Sequence, residues 1–327
     1  MDNIIAWICL AGIFATICIF ASVGEILTEK SGHLNLGVPG IMYLSGFVSY
    51  FSVYSYETST PNPSAFVIIV IAILSSLIVG CLLGCLYSLM CVTFRCNQNV
   101  TGLIITSFGV GFGKFLSSMA GLTDTKAVVS GLTFTKGIPF LKDIPIIGKL
   151  LFNYGPMTYV AIIVAVIVYL FLNKTRYGLN LKAVGESAAV ADAAGINTSK
   201  YKYLATTIGC GLCGIAGMVY VLQYGAGLWS TNNNIEAIGW LAIALVIFVC
   251  WKSIRLLWAA LLFGLLFWTY NYLPVILPIK SFTGLSELFK MLPYIVTIIV
   301  LIVNSVKKSK LNQPPSSLGV SYYREDR

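Results

Sequence analysis

Apolar residues in this chain come in blocks too long to be covered by anything but lipid or other such blocks. Nine are readable: Ile4–Val23, Leu34–Tyr54, Ala65–Phe94, Val100–Ala120, Met157–Leu172, Tyr203–Leu222, Ala237–Cys250, Leu256–Leu273 and Leu292–Val306. A helix of about 20 residues, rising about 1.5 Å per residue, crosses a hydrocarbon layer of roughly 30 Å. Lipid offers backbone groups no hydrogen-bond partner, so such blocks must be helices or strands of a closed barrel. Alternating ten-residue strands are absent, which leaves helices. Composition agrees: only 10% of the residues are charged, against about 25% in soluble domains. The chain is expected to be an all-α, polytopic membrane bundle of about nine spans, with eight or ten as alternatives because the seventh block is short and the third is long. Residues 1–306 form the membrane domain and 307–327 a cytoplasmic tail.

Charge position sets the orientation. With residues 174–202 in the cytoplasm, fourteen of the 21 basic residues fall on that side, among them Lys30, Arg95, Arg176, Lys182 and Lys200. Most of the other seven belong to one long loop, 121–156, and long loops count less in the positive-inside rule. The N-terminus is then outside and the C-terminus inside. The net charge of +9 is spread over loops between apolar blocks, with no basic stripe interleaved with aromatics, so nucleic acid is not the expected partner. The nine cysteines lie in or beside apolar blocks and form no extracellular disulfide framework, and Cys210 and Cys213 read as small packing residues. The first block lacks a basic lead and a cleavage site and reads as a retained span.

Two segments carry mechanism. Residues 31–42, Ser-Gly-His-Leu-Asn-Leu-Gly-Val-Pro-Gly-Ile-Met, place glycines and a proline where an apolar block begins. They break regular helix and free backbone groups, which survive at membrane depth only inside protein or beside water. The path reading makes Asn35, Gly37 and Gly40 line a solute route, joined by Gln98, Asn99, Thr101, Thr106 and Ser107 of the fourth block. The alternative is that these groups bond helix to helix and the glycines pack against a neighbour. His33, the only histidine, reads as a loop residue. Residues 186–194 of the cytoplasmic loop are nearly all good helix formers, with Glu186 in the first turn and Gly195 as the stop. Its alanine surface would let another protein approach closely, so Gly185, Glu186, Ala191, Asp192, Ala194 and Gly195 are expected to couple the chain to a motor subunit.

Chemistry is otherwise lacking. There is no GxxxxGK[ST] phosphate cradle, no metal-ligand cluster and no Ser/His/Asp set, so no catalytic or metal residue is expected. Glu25, Glu29, Lys114 and Glu236 sit near the rims of the blocks, whereas an ion-coupled carrier buries carboxylates at mid-depth.

Gly24-Glu25-Ile26-Leu27-Thr28-Glu29-Lys30-Ser31-Gly32, with Asn35-Leu36-Gly37, resembles a signature of permeases of the branched-chain amino acid, ribose and nucleoside ABC importer family. Ala183-Val184-Gly185-Glu186 with Ala191-Asp192-Ala193-Ala194-Gly195 is similar to its coupling loop, and Gly239-Trp240-Leu241-Ala242-Ile243-Ala244 to a further block. Met291-Leu292-Pro293-Tyr294 and the terminal Ser317-Leu318-Gly319-Val320-Ser321-Tyr322-Tyr323-Arg324-Glu325 resemble its nucleoside and simple-sugar branch. Many relatives carry an acidic residue where this chain has Pro39. The resemblance implies a bacterial cell-membrane importer with a cytoplasmic ABC ATPase that binds the ATP, a second and different permease, and an extracellular solute-binding protein or lipoprotein. The chain itself then holds no cofactor. Nucleosides are the solutes implied, and simple sugars such as ribose or galactose the alternative. Branched-chain amino acids are a further alternative, and an ion-coupled carrier would differ in needing no ATPase.

Overall fold

A computed structural model describes residues 2–123, 126–128, 131–137, 148–276, 291–307 and 313–323. Each apolar block falls on a helix: α1 (Asp2–Glu29), α2 (Val38–Ser59), α3 (Ala65–Ser88), α4 (Gln98–Met119), α6 (Pro156–Lys174), α9 (Thr198–Val219), α10 (Ile235–Phe248), α11 (Ser253–Ile276) and α12 (Leu292–Lys307). Among the described residues, the short α-helices between them are α5 (Gly131–Thr135), α7 (Arg176–Glu186) and α8 (Ala188–Ala193), with a π-helical turn at Gly148–Phe152. The strands are two residues each, β1 (Lys126–Ala127) and β2 (Leu228–Trp229), paired antiparallel. Among the described residues five helices, α1, α3, α4, α6 and α9, are long and apolar enough to cross a membrane on length and composition.

α2 is as long as these but richer in serine and tyrosine. It can be, because protein and not lipid surrounds it: α3, α4, α9 and α10 all pack against it, and its residues Val38–Phe47 are buried without a gap. Glycines set how closely the helices cross. A Cβ on Gly24 of α1 would meet the Gly209 carbonyl of α9 at 2.3 Å, and one on Gly209 would meet the Gly24 carbonyl at 2.5 Å. Small-residue contacts of this kind let dispersion hold helices together where the hydrophobic effect is weak. The expected packing role of the CxxC pair fits the same crossing, since Cys210 and Cys213 are fully buried free thiols.

A segment the sequence reading did not single out packs into the bundle. Trp229 of β2 is buried against Tyr43, Phe47 and Tyr50 of α2, and its indole N–H donates to Ser117 Oγ of α4 at 2.8 Å. The described parts of the 121–156 loop meet the same segment through β1. Lys142, Lys280, Lys290, Lys308, Lys310, Arg324 and Arg327, used in the charge count, lie outside the described residues.

The charge bias gives a topology prediction. In a background without reactive cysteines, Ser59→Cys, at the exposed end of α2, is expected to label with an impermeant thiol reagent in intact cells. Val190→Cys, exposed on α8, is expected to label only after the membrane is opened. The reverse pattern inverts the orientation.

Candidate functional site

The chain leaves α1 at Glu29 and enters α2 at Val38. Gly32 turns the backbone at φ +90, a conformation a side chain disfavours. Pro39 sits in the first turn of α2, where its missing N–H costs nothing. The interruption is thus a lead-in turn, and its freed backbone groups are met by side chains. Leu34 N–H donates to Gln98 Oε1 at 2.9 Å, and Tyr87 Oη donates to the Leu34 carbonyl at 2.6 Å. Asn35 N–H donates to Glu25 Oε1 at 3.3 Å, Thr106 Oγ1 to the Leu36 carbonyl at 2.7 Å, and Gly37 N–H to Asn35 Oδ1 at 2.9 Å. Buried backbone groups at membrane depth need such partners.

The glycines of the turn are contact points. A Cβ on Gly40 would lie 2.5 Å from the Ile105 carbonyl and from Thr106 Cα of α4, and one on Gly109 would meet the Gly40 carbonyl at 2.4 Å. A Cβ on Gly37 would lie 2.8 Å from Asn35 Oδ1 and 3.0 Å from Ile105 Cγ2. Gly37, Gly40, Gln98 and Thr106 thus bring the turn against α4, and Asn35 ties it to Glu25 of α1 and, through its side-chain amide N–H, to Cys210 Sγ of α9 at 3.3 Å, contacts of the helix-bonding kind. Thr101 is buried and donates to the Asn97 carbonyl within its own helix. Only Asn99 and Ser107 of that set are exposed. Along α4 the exposed face divides: Ile104, Phe108, Phe112, Phe115 and Met119 form an apolar strip, and Ser107, Gly111, Lys114 and Ser118 lie beside it. Nothing lies within 4 Å of where a Cβ on Gly111 would be.

Beneath the turn are two carboxylates placed at a rim by the sequence reading. Both are inside the protein: Glu25 is fully buried and Glu29 nearly so. Glu29 accepts from the Trp251 indole N–H, and Glu25 Oε2 has no hydrogen-bond partner among the described residues. His33 is buried as well, its Nδ1 paired with Thr206 Oγ1 at 2.9 Å and its ring edge-on to Tyr87.

The loop between α6 and α9 folds as two helices, not one. Ser187 is extended at φ −153, and its hydroxyl accepts from Val190 N–H as the N-cap of α8. Glu186 is therefore the last residue of α7 and not in the first turn of the following helix. The stop at Gly195 is as expected, with φ +81. α8 turns Ala188 and Ala191 inward and Val190, Ala193 and Ala194 outward. Ala191 thus faces its own chain. Asp192 accepts from Tyr322 Oη at 3.0 Å. Gly185 is seated on the α1–α2 turn, where a Cβ would meet the Lys30 carbonyl at 2.3 Å. Partial burial lowers the pKa of the Lys30 ammonium, and the Glu186 carboxylate opposes this.

Residues 8–301 match the family described as the permease component of the branched-chain amino acid transport system. The chain belongs to this family. Among its relatives, a nucleoside ABC transporter permease of Lactococcus lactis is 30% identical over 88% of this chain and 89% of its own length. A guanosine ABC transporter permease of Bacillus subtilis is 30% identical over 88% of each. A putative glucose ABC transporter permease of Haloferax volcanii is 31% identical over 77% of this chain and 73% of the relative. No solved structure matches. The permease is accordingly a multi-pass plasma-membrane protein and a transport component. The resemblance to this family is carried by the α1–α2 turn, residues 183–196, residues 238–248 of α10, the start of α12 and the tail. What sequence reasoning missed is that residues 316–322 return to α7 and α8, a contact no periodicity announces.

Proposed function

We propose that this permease carries nucleosides inward as one of two different permease chains of an ABC importer, driven by a separate cytoplasmic ATPase that binds the ATP and fed by an extracellular solute-binding protein. The observation that carries the solute class is the pair of nucleoside and guanosine permeases matched over nearly nine-tenths of this chain. The outward surface of α8, with Val190, Ala193, Ala194 and Gly195, is where the ATPase docks in this reading. Small side chains there allow close approach, and the flanking Asp192 and Glu186 set the register.

The solute route in this reading runs between the two permeases along α4. Nucleosides are neutral, rich in donors and acceptors, and carry an aromatic base, so they suit weak contacts to hydroxyls and amides beside aromatic rings. Asn99, Ser107, Lys114 and Ser118 supply the polar contacts, with Phe108 and Phe115 alongside. Lipid alone would not favour that strip, because polar groups facing hydrocarbon are costly. Asn35, Gly37, Gly40, Gln98, Thr101 and Thr106 then hold the frame behind the route.

Simple sugars are the second reading, favoured by the glucose-permease relative. Binding of radiolabelled guanosine, adenosine, ribose and glucose to the cognate solute-binding protein separates them. Saturable nucleoside binding that excess ribose or glucose does not displace is expected. Saturable sugar binding with no nucleoside binding would assign the importer to sugars.

A further inference from the structure

Residues 313–323 are distant from the coupling helices in sequence and return to them in space. Ser317 N–H donates to the Gly185 carbonyl at 3.1 Å, and its hydroxyl reaches the same oxygen. Gly185 belongs to the last turn of α7, whose carbonyls have no partner within the helix, so the tail completes that end. The Glu186 carboxylate accepts from the Ser316 hydroxyl at 2.8 Å and from its N–H at 3.3 Å. Gly319 N–H donates to the Gly32 carbonyl of the α1–α2 turn at 3.2 Å, and its own φ of +77 disfavours a side chain there. Beyond it, Tyr322 Oη donates to Asp192 of α8, and the Arg95 guanidinium lies 5.0 Å from the centroid of the Tyr323 ring.

The order of these contacts decides what the segment can do. α7 and α8 are separated by the extended residue Ser187, where the two helices could move independently. The tail spans that break: Ser316 and Ser317 hold the end of α7, and Tyr322 holds α8. Between those anchors Gly319 ties the segment to Gly32, beside the Lys30 carbonyl on which Gly185 rests. Force applied at α8 reaches the α1–α2 turn as a unit only while these anchors hold. We infer that residues 313–323 are a strap that locks α7 and α8 into one rigid docking element for the ATPase subunit and fixes that element to the α1–α2 turn. The inference rests on the docking of the ATPase at α8 proposed above.

A chain ending at Asn312, expressed with its partner subunits, is expected to reach the membrane and the second permease in wild-type amounts. It should retain at least about tenfold less ATPase subunit on affinity purification. Gly319→Val in the full-length chain, which forces a branched side chain into a left-handed position, is expected to lose a similar share. Retention within twofold of wild type in both variants overturns the strap. Where either variant is lost from the membrane, Tyr322→Phe decides: about a threefold drop is expected, and unchanged retention overturns the inference. An ATPase subunit that does not co-purify with the wild-type chain at all contradicts docking at α8 instead, which separates the two failures.

Discussion

Replacing Gly40 by leucine is expected to remove the folded permease from the membrane and not to leave an assembled but blocked importer. The backbone of α4 lies 2.5 Å from where a Cβ on Gly40 would sit, and the reciprocal contact at Gly109 is as close. Overpacking a well-filled core costs about 1–3 kcal/mol when side chains can yield. Here the obstacle is backbone, so about 3 kcal/mol or more is expected, roughly a hundredfold in the folded-to-unfolded ratio. The same separation of α2 from α4 would strain the bonds from Thr106 to Leu36 and from Leu34 to Gln98. Membrane levels of the tagged chain, and its recovery in a monodisperse complex, check this. A Gly40→Leu complex that assembles normally and fails only in uptake would return Gly40 to the solute route.

Replacing Ala194 by arginine is expected to have the opposite signature. Ala194 is exposed just past α8, so the long cation has room in the isolated chain and folding should be unaffected. Against a docked ATPase it would press into a closely fitted alanine surface, where a desolvated unpaired charge costs several kcal/mol. Co-purification of the ATPase and solute uptake should both fall at least about a hundredfold, with membrane levels of the permease unchanged. Ala191→Arg should instead destabilise the chain itself, because Ala191 is buried within it. Equal uptake by the Ala194→Arg and wild-type importers would mean that the ATPase docks elsewhere.

These two variants mark where the sequence was legible. The membrane helices were readable because each is an apolar block closed by glycine, proline or charge, and lipid leaves such blocks no other structure. The coupling segment was readable as helical, but a run of alanines hides the break at Ser187: helix propensity favours continuity, and the competing signal is one serine able to cap. The solute route was least readable. Asn35, Gln98 and Thr106 are polar residues in apolar surroundings, which equally fits a wet path or a structural bond. What decides is whether a freed backbone group lies within reach, and that depends on how α3 and α4 pack against the turn. Asn99 and Ser107 carry the same composition yet face outward. The strap was invisible for a related reason, since two of its partners are the backbone carbonyls of Gly185 and Gly32, and any sequence has carbonyls.

The central claim, that this permease belongs to an ATP-driven nucleoside importer, is tested most directly by uptake into proteoliposomes that hold the assembled complex. Accumulation of radiolabelled guanosine or adenosine that requires ATP and the solute-binding protein, and that excess ribose leaves unchanged, is the predicted result. Accumulation that persists without the ATPase subunit, or uptake of ribose or glucose with none of either nucleoside, would contradict it.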